Sequence, residues 1–318
     1  MSIFREYYTE RPFEDYYQSS PDNAVDVIIP VIHTNELWER NLFSFYREIP
    51  IKRLLIGDGG CIDDSIEIAK KFPRVEVFDH RSITSLGFSI CKLIGLVETE
   101  WFVYLHSDVY LPPGWFDAMR RYKAKYDWFE CRQRITALVE YDLDYNDIHR
   151  ALSGSQMGRA EAFKEILPKI EDDFLYRNED IILAALISET GHRYGRADDA
   201  FHYHQVVRKP SPWLRKVKSI RFDVELSKEE EIRTYMMQVK GLIKYLSPSR
   251  RLLPEVVVCM NRLQDLGELN WAALIGWSKK ANPQWTPLLT KEAKKDPWRR
   301  LVRSIIQQGR KLYRQGRP

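Results

Sequence analysis

From Val25 onward, short apolar runs alternate with amphipathic stretches, and this alternation constrains the fold more than any other feature of the chain. Val25–Val31 is almost continuously apolar, as expected of a strand covered on both faces. Glu36–Tyr46 follows with Leu37, Leu42 and Phe45 at helical spacing, then Arg53–Ile56 as a second strand ending in the turn Gly57-Asp58-Gly59-Gly60. Asp63–Lys71 reads as a helix, Val75–Phe78 as a strand and Gly87–Val97 as a helix. Trp101–Leu105 is a fourth strand that ends at His106-Ser107-Asp108. Such alternation with short connections predicts an α/β fold with a mostly parallel sheet flanked by helices. Right-handed crossovers then bring the strand ends, and with them Asp58 and Asp108, to one edge.

The predicted organisation has three parts. Residues 1–24 form an aromatic-rich arm (Phe4, Tyr7, Tyr8, Phe13, Tyr16, Tyr17), residues 25–208 the α/β domain, and residues 209–318 a helical C-terminal region that opens at Pro210-Ser211-Pro212. Within that region Glu255–Cys259 is the one stretch that also reads as a strand. A composition 44% hydrophobic and 30% charged excludes wholesale disorder. No apolar run approaches the ~20 residues of a spanning helix, and the start shows no basic segment followed by an apolar one. Cys61, Cys91, Cys131 and Cys259 form no CxxC pair, so reduced thiols are expected, in a cytoplasmic protein.

Charge is uneven. Residues 289–318 carry ten Lys or Arg and two acids, a net of +8 against +4 for the whole chain, which leaves −4 on the rest. A basic tail on an acidic body argues against a nucleic-acid binder. In the tail, Trp298, Leu301, Val302, Ile305, Ile306 and Leu312 recur at three- and four-residue steps among arginines. Residues 297–314 either pack this stripe on the body or lie on an anionic membrane surface, which would place the protein at the inner face of the membrane.

Four segments carry candidate chemistry. Asp58, flanked by glycines that allow close backbone approach, is either a nucleobase or ribose acceptor or a turn residue. Asp108 either coordinates a divalent cation at a nucleotide diphosphate or organises the turn before Leu111-Pro112-Pro113-Gly114. Asn178-Glu179-Asp180 opens an apolar helix, where the acids serve the helix dipole or supply a general base with a raised pKa. In Phe201-His202-Tyr203-His204 the histidines share a face if the segment is a strand, and either one of them is a metal ligand beside Asp108 or the pair has no role in a site.

Taken in order, "VDVIIPVIHTNELWERNLFSF", "LLIGDGGCIDDSIEIAKKF", "SLGFSICKLIGLVETEWFVYLHSDVYLPPGWFDAM", "SGSQMGRAEAFKEI" and "NEDIILAALISETGHRYG…FHYH" resemble the family 2 glycosyltransferases of the GT-A fold over residues 25–205. The resemblance implies that Asp58 contacts the donor nucleobase and that Pro30, Lys92 and Ser107 lie at the nucleotide. It implies that Asp108 and His204 hold a divalent cation, Mn²⁺ or Mg²⁺, with His106 standing where the family has the first Asp of Asp-x-Asp. Asp180, with Glu179, takes the place of the catalytic base, and Arg159 and His202 the place of contacts to the acceptor or the donor sugar. Where the family often has an acid and an arginine after its Glu-Asp pair, Ile182 and apolar residues stand here.

The implied activity is inverting transfer of a sugar from a nucleotide-diphosphate sugar to a hydroxyl of a glycan or lipid-linked glycan. A nucleotide-sugar-binding protein without turnover is the alternative. A sugar nucleotidyltransferase is set aside, because Pro30-Val31-Ile32-His33-Thr34-Asn35 lacks a Gly-rich basic phosphate loop.

Overall fold

The computed structural model of the protein describes residues 23–32, 34, 37–83, 85–137, 147–148, 154–170, 175, 179–206, 227–248, 253–268 and 270–295. The chain divides into two compact units, Met1–Leu226 and Ser227–Pro318. The aromatic segment 1–22 and the tail 296–318 lie outside the described residues, as does the 208/209 boundary.

In the first unit, strands and helices alternate as β1 (Val25–Val31), α1 (Trp38–Glu48), β2 (Ile51–Asp58), α2 (Ser65–Ala69), β3 (Val75–Asp79), α3 (Leu86–Ile94) and β4 (Trp101–Leu105). There follow β5 (Val109–Tyr110), α4 (Trp115–Arg120), β6 (Trp128–Ala137), β7 (Asp147–Ile148), β8 (Ser155–Arg159), α5 (Ala160–Lys164), α6 (Glu179–Glu189) and β9 (Tyr194–Val206). All nine strands among the described residues belong to one sheet, in the order β3-β2-β1-β4-β8-β6-β9-β5, with β7 paired to β6. The first four strands are mutually parallel. Beyond β4 the sheet becomes mixed, because β8 runs antiparallel to both β4 and β6.

The two faces explain the apolar strands. Val25, Val27, Ile29 and Val31 of β1 and Trp101, Val103 and Leu105 of β4 pack in one core with Trp38, Leu42 and Phe45 of α1 and Trp115 and Met119 of α4. Helix α3 covers β1 and β2, and Ile28, Leu55 and Phe102 are buried as well. Each such side chain contributes roughly 1.5–3 kcal/mol of transfer free energy. The one acid in the β1 run, Asp26, is fully buried and structural. It accepts two hydrogen bonds from Arg53 (2.6 and 3.1 Å) and one from the Glu98 N–H (2.8 Å).

The order 3-2-1-4 reverses direction between β1 and β4, and a crevice opens at the carboxyl ends of strands where such a reversal occurs. Pro30 fits there: β4 pairs with β1 only over Asp26–Ile28, so the missing N–H of Pro30 costs that ladder nothing.

The second unit is helical among its described residues: α7 (Lys228–Tyr245), α8 (Leu253–Asp265), α9 (Trp271–Ala281), a 3₁₀ turn Pro283–Trp285 and a helix over 286–295. Glu255–Cys259 lies inside α8 and is no strand. Val256, Cys259, Met260 and Leu263 are buried at three- and four-residue steps, while Val258 is exposed, so the helical period decides the segment. Trp285 is fully buried and donates its indole N–H to the Leu246 carbonyl (2.6 Å). No helix among the described residues is long and apolar enough to cross a membrane.

Candidate active site

Asp58 is the last residue of β2 and is nearly buried. Its Oδ1 accepts the N–H groups of Gly60 (2.9 Å) and Cys61 (2.8 Å), and its Oδ2 lies 3.6 Å from Arg81 Nη2. Burial alone would raise its pKa, but these two N–H bonds and Arg81 outweigh it and hold the carboxyl below its usual value. Gly60 takes φ 98°, a left-handed conformation suited to glycine, which turns the chain back over Asp58. Behind it, His80 bonds Ser89 Oγ through Nδ1 (2.7 Å). Burial, and after it Lys92, lower the His80 pKa, whereas Asp79 and Asp58 work against them.

Asp108 follows β4 and directly precedes β5, which pairs antiparallel with β9 in a register that sets Val109 opposite His204. That pairing carries His204, ninety-six positions downstream, to 3.3 Å (Nε2) from Asp108 Oδ2. His106 Nδ1 lies 3.9 Å from Asp108 Oδ1, and the rings of His106 and His204 are 5.8 Å apart. One ligand atom from each of His106, Asp108 and His204 lies within 4.8 Å of the others. Burial opposes the charge on Asp108, but the two histidines, His204 first, hold its pKa well below the carboxylate range. Desolvation pushes His106 down to about 4, whereas Asp108 raises His204 against the effect of burial. The Nδ1 of His204 is buried without a hydrogen-bond partner.

The histidines do lie on a strand. In β9 the pairing with β6 jumps from Cys131↔Ala197 to Arg132↔Phe201, so Asp198–Ala200 bulge out before the His-Tyr-His segment. Bulges re-aim side chains in this way. His202 shares a face with His204 (ring centroids 5.7 Å) but is fully buried, with Nδ1 at 2.7 Å from Ser155 Oγ and 3.4 Å from Cys131 Sγ. Its Nδ1 is thus packed against Ser155 and Cys131, while its Nε2 is buried without a hydrogen-bond partner.

Asp180 stands in the first turn of α6, and its Oδ1 accepts the Ile181 N–H (2.8 Å). Burial, and secondarily the charge of Glu130, push its pKa up to about 6, against the lowering effect of that N–H. Asn178 and Arg177 lie outside the described residues. Glu179 is buried against α3, where Gly87 donates its N–H to the Leu175 carbonyl (3.0 Å). A Cβ on Gly87 would come within 2.5 Å of the Cβ atoms of Glu179 and Leu175. Gly87→Ala is therefore expected to force α3 and α6 apart, at a cost of about 1–3 kcal/mol, read as a lowered melting temperature.

These groups are linked. Tyr104 on β4 is buried, and its hydroxyl pKa is driven far up by burial and then by Glu179, Asp180 and Asp108 together. Its ring meets that of His106 edge-on (5.3 Å). Lys92, on the exposed face of α3, acts electrostatically on both His80 and Cys91, and Cys91 also feels Glu179. The Ser107 carbonyl accepts from Asn41 Nδ2 (2.9 Å), which ties the loop after β4 to α1. Arg159 is not brought in. It pairs with Trp101 at the opposite end of β4, where its guanidinium lies among Glu100, Asp127 and Glu161.

The sequence reading missed His106 as a member of the histidine–aspartate cluster, and it missed Glu130. The latter is a buried carboxylate that receives two bonds from Arg196 (3.0 and 2.6 Å). An acid inside the apolar Trp128-Phe129-Glu130-Cys131 was the available signal for Glu130.

No family model matches this chain, and no curated protein matches it. Among solved structures, residues 1–349 of TarS from S. aureus in complex with UDP-GlcNAc align with a TM-score of 0.51 and 13% identity, over 85% of this chain and 87% of that one. The fold is GT-A. The mannosyltransferase PcManGT from Pyrobaculum calidifontis in complex with GDP-Man and Mn²⁺ aligns over 91% and 88% of the two chains, at 13% identity and a TM-score of 0.46.

Proposed function

We propose that the protein is an inverting glycosyltransferase, of family 2 by its motif order, that moves a sugar from a nucleotide-diphosphate sugar to a hydroxyl of a glycan or lipid-linked glycan. The observation that carries the reading is geometric: His106, Asp108 and His204 bring one ligand atom each to within 4.8 Å of the others, beside a GT-A sheet whose β2 ends in Asp58.

Each residue has a task suited to its surroundings. The Oδ1 of Asp58 is committed to its own turn, which leaves Oδ2 to accept a nucleobase N–H. Pro30, Ser107 and Lys92 line the nucleotide side, with Lys92 supplying positive charge toward the phosphates. Asp180, whose environment favours the protonated form, accepts the proton of the acceptor hydroxyl as that oxygen attacks the anomeric carbon. Alignment of the two substrates supplies the larger part of the barrier reduction, up to ~7–11 kcal/mol.

His106, Asp108 and His204 fit a divalent cation, with three donor atoms in reach of one another and a His204 ring that has a partnerless buried nitrogen. Two imidazoles and one carboxylate suit Mn²⁺ better than Mg²⁺, which prefers all-oxygen ligands. Such an ion, when bound, neutralises charge developing on the departing diphosphate.

The test is thermal unfolding of the full chain with UDP or GDP, with and without Mn²⁺. One of the two should stabilise the protein in the presence of Mn²⁺, by about 2.7 kcal/mol at a hundredfold excess over Kd. No stabilisation by either nucleotide would overturn the reading. Release of free nucleotide diphosphate from a sugar nucleotide in the presence of acceptor separates transfer from mere binding.

A further inference from the structure

We propose that Gln156 and Tyr104 form a subsite that reads hydroxyl groups on the sugar of the donor. The proposal rests on the glycosyl-transfer reading and names where the sugar is recognised. Sheet register sets Tyr104 of β4 opposite Gln156 of β8, Gln156 opposite Glu130 of β6, and Glu130 opposite Arg196 of β9. Residues directly opposite one another project to the same face, so these four form one row across four strands. The row borders the site: the ring of Tyr104 meets that of His106 edge-on, at 5.3 Å between centroids.

The polar atoms of this row are unevenly matched. Glu130 is bonded to Arg196. Gln156 is 1% exposed and Tyr104 2%, yet the Gln156 Oε1 and Nε2 and the Tyr104 hydroxyl have no hydrogen-bond partner. Each such group costs about 1–3 kcal/mol when left unpaired, and folded proteins keep few of them. Three together, beside the cluster of His106, Asp108 and His204, mark a place that a ligand completes.

The chemistry selects that ligand. A carboxamide donates through Nε2 and accepts through Oε1, and a phenol does both, so the pair matches neighbouring hydroxyls, one accepting and the next donating. The one guanidinium in the row, Arg196, is already bonded to Glu130, which leaves the open groups of the row neutral and favours the hydroxyl-bearing part of the donor over its diphosphate.

The experiment is calorimetric titration of the full chain, as wild type, Gln156→Leu and Tyr104→Phe, with UDP, GDP, UDP-glucose, UDP-GlcNAc and GDP-mannose in the presence of Mn²⁺. Wild type should bind one of the sugar nucleotides more tightly than the matching nucleotide diphosphate. Gln156→Leu should lose about tenfold on that sugar nucleotide, and Tyr104→Phe a smaller factor, with the diphosphate affinities unchanged. Gln156→Leu should also melt at or above the wild-type temperature, since it removes an unpaired amide. An unchanged preference for the sugar nucleotide in both variants, as expected if ordered water alone satisfies the amide, would overturn the subsite. So would equal wild-type affinity for each diphosphate and its sugar nucleotides, or a lowered melting temperature with loss of diphosphate binding in Gln156→Leu. If wild type binds none of the five compounds, the glycosyl-transfer reading fails and the subsite fails with it.

Discussion

Asp180→Asn is expected to lower sugar transfer by about 10²–10⁴-fold while nucleotide diphosphate still binds. The substitution keeps the shape and the oxygen that accepts the Ile181 N–H, and removes only the basicity. Because burial and Glu130 raise the Asp180 pKa to about 6, the wild-type rate should fall as pH drops through about 6, well above the 3.8 of an ordinary aspartate. The stability effect follows from the same shift. A carboxyl whose folded pKa lies above its unfolded value favours folding most when protonated, so its ionisation costs stability as pH rises from about 4 to about 6. Asp180→Asn should therefore melt higher than wild type at pH 8 and lose that advantage at pH 4. Full transfer activity in the variant would remove Asp180 from the role of base.

Asp108→Asn is expected to weaken Mn²⁺ binding by roughly a hundredfold or more and to abolish transfer, because it removes the one carboxylate among three candidate ligands. His106→Ala and His204→Ala should each weaken the ion as well. The check is electron paramagnetic resonance of free Mn²⁺ in titrations of each variant, which reads binding without reference to turnover. Wild type should bind Mn²⁺ more tightly than Mg²⁺, and Co²⁺ bound in its place should show absorption bands of mixed nitrogen and oxygen ligation. Mn²⁺ affinity unchanged by Asp108→Asn would exclude this site.

The first four strands were legible because β1 and β4 are covered on both faces. Val25–Val31 and Trp101–Leu105 have the same limits in the structure as in the apolar pattern. The places of Asp58 at the end of β2 and of Asp180 in the first turn of α6 were legible from the glycine turn and from the apolar helix that flank them. Glu255–Cys259 misled, because its run of four apolar residues, Val256–Cys259, is too short to separate period two from period 3.6. For Arg159 and His202, chain order does not say which end of a strand a residue occupies, or whether it lies beneath the surface. β8 runs antiparallel and carries Arg159 to the far edge, while Ser155 and Cys131 enclose His202.

The local text of the chain determined which segments are strands and helices, since that depends on the spacing of apolar residues a few positions apart. It also determined that β2 ends in an acid and that another follows β4 by three residues. Tertiary structure alone decided that His106 joins Asp108 and His204, and that Gln156 lies between Tyr104 and Glu130. Those meetings depend on strand order, on the β5–β9 pairing and on the three-residue bulge in β9, which join residues tens of positions apart.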